Sequence, residues 1–320
     1  MSFVQPRPVL VSRPPRNDVA IELSIIIPAY NEAPRLPLAL TALSHSVDVT
    51  TTEIVVVDDG SSDSTALVAR RSGKWAKHLA VIEHDTNQGK GAAVRTGVAA
   101  ARGDVIAFVD ADNATDLTAL APMIAALGPT VGAVFGSRHA PGSQVTGAPA
   151  IRGVMGRIFN HVVQIAAGTS IRDTQCGAKI FKAPVARLVF ADASVDGFAF
   201  DVEILRRLLA VGVGVVEYPV TWHYVAGTKV RPTTPLRMLG DIIRIRLSKV
   251  PMTPRYIDTD YRSEFDAICD PLDTGARPAG GEPCRLVLSS EGAALTLPVA
   301  DLSALGKPRR AKSWSDLLVT

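Results

Sequence analysis

The strongest constraint in this chain is a series of short, nearly uninterrupted Val/Ile runs, each followed by polar residues and then by a stretch of helical period. Residues 23–28 (Leu-Ser-Ile-Ile-Ile-Pro), 53–58 (Glu-Ile-Val-Val-Val-Asp), 81–83, 105–110 (Val-Ile-Ala-Phe-Val-Asp) and 131–136 read as strands. Residues 35–43, 64–71, 90–101 and 116–127 read as helices between them, the second started by caps at Ser61, Ser62 and Asp63. Strands apolar on both faces must be covered on both faces. The pattern therefore predicts an α/β fold with a mostly parallel central sheet and helices on either side. Such sheets bind ligands beyond the carboxyl ends of their strands. The polar clusters fall there: Tyr30-Asn31-Glu32, Asp58-Asp59-Gly60 and Asp110-Ala111-Asp112.

Composition narrows the class. With 320 residues and 47% hydrophobic content the chain can bury a full core, which excludes wholesale disorder. A net charge of +3 is too near neutral to indicate a nucleic-acid partner. Cys176, Cys269 and Cys284 are odd in number and widely spaced, which excludes a disulfide scaffold and a Cys-rich zinc site and fits a reducing compartment. The longest uncharged run, 117–137, contains Pro122, Gly128 and Pro129, so it reads as a helix and then a strand rather than a membrane span. Arg and Pro crowd residues 1–20 with no apolar block behind them, which does not read as a signal peptide. The expected organisation is an irregular lead-in (1–20), an α/β domain (21–230), a basic amphipathic helix (231–250) and an extension (251–320). That extension is partly disordered or carries a small hairpin at 285–288 and 293–299.

Taken one at a time, the polar clusters are ambiguous. Asp110 and Asp112 at a strand exit offer hard oxygen ligands for Mg²⁺ or Mn²⁺ shared with a diphosphate, and equally suit a solvated loop. Asp58-Asp59-Gly60 makes a tight turn, yet two adjacent carboxylates exceed what a turn requires, and a ribose or base edge would supply donors. Asn87-Gln88-Gly89-Lys90-Gly91 opens a helix where backbone N–H groups and an ammonium can meet a phosphate, or it is an ordinary Gly-rich start.

In order, however, Pro28-Ala29-Tyr30-Asn31-Glu32, Val56 to Asp63, Asn87 to Gly91 and Asp110-Ala111-Asp112 resemble the family 2 glycosyltransferases of GT-A fold, over most of residues 23–230. Gly136-Ser137-Arg138, Asp173 to Phe181, Phe200-Asp201-Val202-Glu203 and Val220 to Lys229 look like the dolichyl-phosphate glucosyltransferases within it. The long N-terminal membrane helix common in eukaryotic members has no counterpart here, and residues 251–320 match no recognised pattern.

The resemblance implies inverting transfer of a sugar, glucose favoured, from a UDP donor to polyprenyl or dolichyl phosphate. It implies Asp58 and Asp59 on uridine and ribose, the loop of Pro28, Tyr30 and Glu32 beneath, and Lys90 and Ala111 lining the donor. Asp112, with Asp110 beside it, would hold the metal. Arg138 and Arg152 would grip the acceptor phosphate, and Asp173 stands where a catalytic base is usually assigned. A phosphate acceptor arrives already anionic, so Asp173 is expected to orient more than to deprotonate. Lys179, Asp201 and Lys229 belong to the acceptor side or support the site, with Asp201 and Glu203 as structural partners for Lys179 or Arg172. UDP-N-acetylgalactosamine or GDP-mannose as donor, or a soluble glycan as acceptor, remain alternatives.

Leu236, Leu239, Ile242, Ile243 and Leu247 follow helical spacing with Arg237, Arg244 and Arg246 on the flanks. Basic amphipathic helices lie at anionic membrane surfaces. The expectation is a peripheral enzyme at the cytoplasmic face of a membrane, with self-association left open. Cys176 lies inside a site motif, yet no paired base accompanies it, so it reads as a small buried side chain.

Overall fold

The computed structural model describes residues 20–147, 160–161, 163–164, 169–225, 234–247, 285–287 and 294–296. Strands β1 (Leu23–Ala29), β2 (Thr52–Asp58), β3 (His78–Glu83), β4 (Val105–Val109) and β5 (Val131–Ser137) alternate with helices. These are α1 (Leu36–Ser46), α2 (Thr65–Ser72), α3 (Lys90–Ala100) and α4 (Leu120–Ala125). Then follow β6 (Gln144–Thr146), β7 (Ala178–Lys182), α5 (Ala183–Ala191), α6 (Phe200–Ala210), β8 (Gly214–Pro219), β9 (Thr221–His223) and α7 (Thr234–Leu247). Strands β10 (Arg285–Val287) and β11 (Ala294–Thr296) come last.

The main sheet runs β11-β10-β8-β5-β7-β4-β1-β2-β3. Pairs β1–β2, β2–β3, β1–β4 and β5–β8 are parallel, while β7 runs antiparallel between β4 and β5. Successive residues serve opposite faces, as a pleated strand buried on both sides demands. Ile26, Val55, Val57, Ile106 and Phe108 join one apolar cluster, whereas Ile25, Ile27, Ile54, Val56, Ala107 and Val109 join the other. Phe181 sits among Phe108, Phe135 and Phe190 at ring separations of 5.8–6.4 Å, which welds β7 into the first layer.

The antiparallel β7 matters most for function. Its first residue, Ala178, pairs with Val109, so residues 173–177 arrive at the edge where the parallel strands end. The Asp110 N–H donates to the Gly177 carbonyl at 3.0 Å and ties the two segments together. The Ala114 carbonyl accepts the His223 N–H at 2.8 Å, which draws β9 over the same edge.

Two local expectations change. The helix expected over 116–127 is a 3₁₀ turn (Leu117–Ala119) leading into α4, because the Asp116 carboxylate accepts the Thr118 N–H at 3.0 Å and sets a tight first turn. Of the three residues expected to cap α2, Asp63 accepts the Thr65 N–H, whereas the Ser61 hydroxyl accepts the Asn31 N–H and the Ser62 N–H donates to the Asn31 side chain. Ser61 and Ser62 therefore lace two strand exits together.

Helix α7 divides its apolar residues. Met238, Ile242 and Ile245 are buried, with Ile242 and Ile245 in the first core layer, and Leu239, Ile243 and Leu247 are exposed. Among the described residues no helix is long and apolar enough to cross a membrane.

Candidate active site

The carboxyl edge gathers three groups of side chains, from β1–β2, from β4 and from the β5–β7 junction. Pro28 lies in β1 and Tyr30 follows its end; Glu32 is buried and forms an ion pair with Arg35 that fixes the start of α1. Asp58 closes β2 and its carboxylate accepts the Ser61 N–H at 3.0 Å. Gly60 turns the chain at φ +68°, and a Cβ there would lie 2.4 Å from the Thr86 carbonyl carbon, so only glycine fits.

Asp59 behaves differently from its neighbour. One carboxylate oxygen accepts the Gln88 N–H at 2.9 Å and meets His84 Nδ1 at 2.8 Å. The other accepts the Gly89 N–H at 2.8 Å and the Asn87 side-chain amide at 2.9 Å. His84 Nε2 in turn meets the Thr96 hydroxyl at 3.0 Å on α3. The resemblance assigns Asp59 to the nucleoside; the structure turns its carboxylate to the 84–89 loop instead. The backbone of that loop is spent in the same way. The Gly91 and Ala92 N–H groups donate to the Asp196 carbonyl at 2.7 and 3.3 Å, so of the two readings of this segment the N–H groups of Gln88, Gly89 and Gly91 fit the ordinary Gly-rich helix start. What this segment sends into the site is the Lys90 ammonium, 2.6 Å from Asp110 Oδ1.

Asp110 and Asp112 stand just past β4, with Ala111 buried between them. Burial pushes the Asp112 carboxyl up, and the neighbouring Asp110 pushes it the same way. Burial alone would lower the Lys90 ammonium, but Asp110, Asp201 and Asp112 outweigh it and hold it above its ordinary value. Behind them Lys179, 1% exposed, has its ammonium 2.8 Å from Asp201 Oδ1, donates to the Cys176 carbonyl at 2.8 Å and lies 5.0 Å from the Phe108 ring. Lys179 and Asp201 thus form the structural pair that was expected. Glu203 does not join them: it accepts the Ser194 and Val195 N–H groups and pairs with Arg207, because the i,i+4 spacing on α6 sets the two side by side.

At the third group, Arg138 follows β5 and Asp173 precedes β7. Arg138 Nε and Nη2 donate to the two Asp173 oxygens at 2.7 and 2.9 Å, and the Arg138 N–H adds a third bond at 2.9 Å. The guanidinium carbon lies 5.6 Å from the Trp222 ring centre. Burial alone would raise the Asp173 carboxyl, but Arg138, as charge and as donor, holds it well below the usual carboxylate range. Under it sits Glu217, fully buried on β8, accepting the Arg172 and Asp173 N–H groups at 2.9 and 3.0 Å. Cys176 is buried, and burial pushes its thiol up to about 11, which makes it a packing residue. Arg152 and Lys229 lie outside the described residues.

His84 and Glu217 were not singled out in the sequence. Glu217 left a trace, a lone acid inside the apolar run Val215-Val216-Glu217-Tyr218; His84 left none.

Among the described residues no cluster of three or more His, Cys, Asp or Glu side chains gathers as a closed metal cage. The carboxylates of Asp110 and Asp112, one residue apart, nevertheless suit a hard divalent cation that takes its remaining ligands from phosphate.

The model of "Glycosyl transferase family 2" matches residues 24–190. The chain belongs to this family and is a glycosyltransferase of GT-A fold. Among its relatives, the dolichyl-phosphate beta-glucosyltransferase of Drosophila melanogaster is 37% identical over 229 residues, covering 67% of this chain and 70% of the relative. Its namesake in Homo sapiens is 33% identical over 260 residues, covering 76% of this chain and 78% of the relative. Glucosyl-3-phosphoglycerate synthase of Mycobacterium tuberculosis, solved with UDP, superposes with a TM-score of 0.53 at 18% identity, covering 73% of this chain and 82% of that one. The same enzyme has been solved with Mn²⁺, UDP and phosphoglyceric acid, and with Mg²⁺ and UDP.

Proposed function

We propose that this glycosyltransferase moves glucose from UDP-glucose to a polyprenyl or dolichyl phosphate, giving a β-linked glucosyl phosphodiester for later glycan assembly. One observation carries the reading: the carboxylates of Asp110 and Asp112 and a guanidinium held by a buried carboxylate share one sheet edge, joined through the Asp110–Gly177 contact. The names of the relatives supply the sugar and the lipid.

Asp58 is the carboxylate at the nucleoside end, with the Tyr30–Glu32 loop beside it. Asp59 acts at one remove, by fixing the loop that presents Lys90. Asp110 and Asp112 would hold Mg²⁺ or Mn²⁺, which when bound neutralises charge on the departing nucleoside diphosphate. Arg138, Arg152 and Lys229 gather the acceptor phosphate; a planar guanidinium grips phosphate at two points where an ammonium gives one. The acceptor oxygen attacks the anomeric carbon as the bond to the diphosphate breaks, and UDP leaves with the electron pair. A phosphate near neutral pH is already ionised, so no side chain must take a proton. Asp173 then orients Arg138.

The substrate tail cannot leave the bilayer cheaply, at about 0.8 kcal/mol per CH₂. Helix α7 answers this with Leu239, Ile243 and Leu247 on an exposed stripe flanked by Arg244 and Arg246, an arrangement suited to the headgroup boundary of a membrane.

The test supplies UDP-glucose, UDP-N-acetylgalactosamine and GDP-mannose separately, each sugar-labelled, with a polyprenyl phosphate and Mg²⁺. Label entering the organic phase from UDP-glucose alone, and lost with Asp112→Ala, is the expected result. Transfer from another donor in its place would overturn the choice of sugar.

A further inference from the structure

Lys90 occupies an unfavourable place for a cation. It is the first residue of α3, where the helix dipole is positive and where no acidic residue stands in the first turn. Its ammonium is nevertheless drawn in to 2.6 Å from Asp110 Oδ1, with little exposure to water. The carboxylates of Asp110, Asp201 and Asp112 all act on it, and Asp201 is itself paired with Lys179. The inner pair is closed, since Lys179 is enveloped by Asp201, the Cys176 carbonyl and two phenylalanine rings. The outer carboxylates have no such enclosed partner. Asp110 also lies against Gly177, where a Cβ would come within 2.1 Å of its Oδ2, so only glycine leaves the carboxylate this place.

We infer that Lys90 is the resident counter-cation of the Asp110–Asp112 pair and that it exchanges with the divalent cation. In the empty enzyme the ammonium neutralises Asp110. When the cation arrives with the donor, Asp110 passes to it and the ammonium is released at a helix N-terminus, where an anion is the favoured neighbour. The diphosphate is that anion. The exchange rests on the metal reading given above and adds a consequence to it: the protein resists metal alone and accepts metal with nucleotide, because only the nucleotide offers Lys90 another partner. Metal and nucleotide binding are therefore coupled, each raising the affinity for the other by the same factor.

The experiment titrates Mn²⁺ by the loss of its free electron-paramagnetic-resonance signal, without nucleotide. It compares the wild type with Lys90→Met, Lys90→Gln and Lys90→Arg; Gln keeps a hydrogen bond to Asp110 without the charge and guards against misfolding by the Met variant. Lys90→Met and Lys90→Gln should bind Mn²⁺ about tenfold more tightly than the wild type, the scale of one lost charge-assisted competitor. Lys90→Arg should stay within about twofold of it, and adding Asp112→Asn to Lys90→Gln should abolish the gain. Bound Mn²⁺ should also raise the melting temperature of Lys90→Gln more than that of the wild type. A lysine that merely binds donor leaves nucleotide-free Mn²⁺ affinity unmoved, so unchanged or weaker affinity in both neutral variants overturns the exchange. If the wild type still takes up Mn²⁺ with UDP, the metal reading survives that result. If no variant binds Mn²⁺ even with UDP, both fall.

Discussion

Arg138 and Asp173 meet through two parallel side-chain bonds, 2.7 Å from Nε and 2.9 Å from Nη2, and the Arg138 backbone adds a third. A carboxylate engaged in this way aims a guanidinium and is a poor acceptor for another proton. Asp173→Asn should therefore lower turnover about 10- to 100-fold through loss of aim, the scale of one or two charge-assisted bonds, and leave the KM for UDP-glucose nearly unchanged. Steady-state kinetics with donor and acceptor varied separately will show it. Loss of all turnover with a normal fold would make Asp173 a true base.

The pH profile follows. Asp173 is held below its ordinary value of about 3.9, so its contribution to stability is complete above pH about 4 and is lost as pH falls toward the folded value. It supplies no ascending limb between pH 5 and 8. Any rise of rate with pH near about 6 should belong to the second ionisation of the acceptor phosphate. Rate measurements from pH 5 to 8 on Asp173→Asn should keep the midpoint of the wild type; a limb that vanishes with the substitution would contradict this.

Asp59 is worth more to the fold than Asp58. Four groups converge on its buried carboxylate, from His84, Asn87, Gln88 and Gly89. Asp59→Asn removes charge and turns an amide toward donors, a cost of about 2–4 kcal/mol. A thermal melt should fall by several degrees, whereas Asp58→Asn should spare stability and raise the KM for the donor. Equal melts for the two variants would refute the division.

The exposed stripe of α7 invites a binding test. Replacing Leu239, Ile243 and Leu247 together by Glu removes three apolar side chains that are 40%, 52% and 79% exposed, so the melting temperature should hardly move. Flotation with anionic liposomes should weaken by at least about 100-fold. Undiminished flotation would move the membrane contact elsewhere.

Much of this fold was legible because strands buried on both faces write themselves as Val/Ile runs; β1, β2, β4 and β5 lie within a residue or so of where those runs stand. Asp58, Asp110 and Asp112 were legible because strand ends in parallel sheets gather at one edge. Partnership was not legible. Asp58 and Asp59 are adjacent, identical in kind and equally buried, yet one meets the Ser61 N–H of its own turn and the other His84 and the 84–89 loop. Nor did the sequence tell that β7 runs antiparallel, which is what brings Asp173 to Arg138 and Gly177 to Asp110. Glu203 was misassigned for a similar reason: its partner, Arg207, lies one helical turn away on α6, while the residues near it in the motif point elsewhere.

The most direct test of the account is the choice of acceptor. With UDP-[¹⁴C]glucose and Mg²⁺, purified enzyme would be offered a polyprenyl phosphate in liposomes in one tube and 3-phosphoglycerate in the other. The account predicts organic-extractable label in the first tube, released as glucose by mild acid and abolished by Arg138→Ala, and none in the second. Label that stays in the aqueous phase as glucosyl phosphoglycerate, with the lipid untouched, would contradict it.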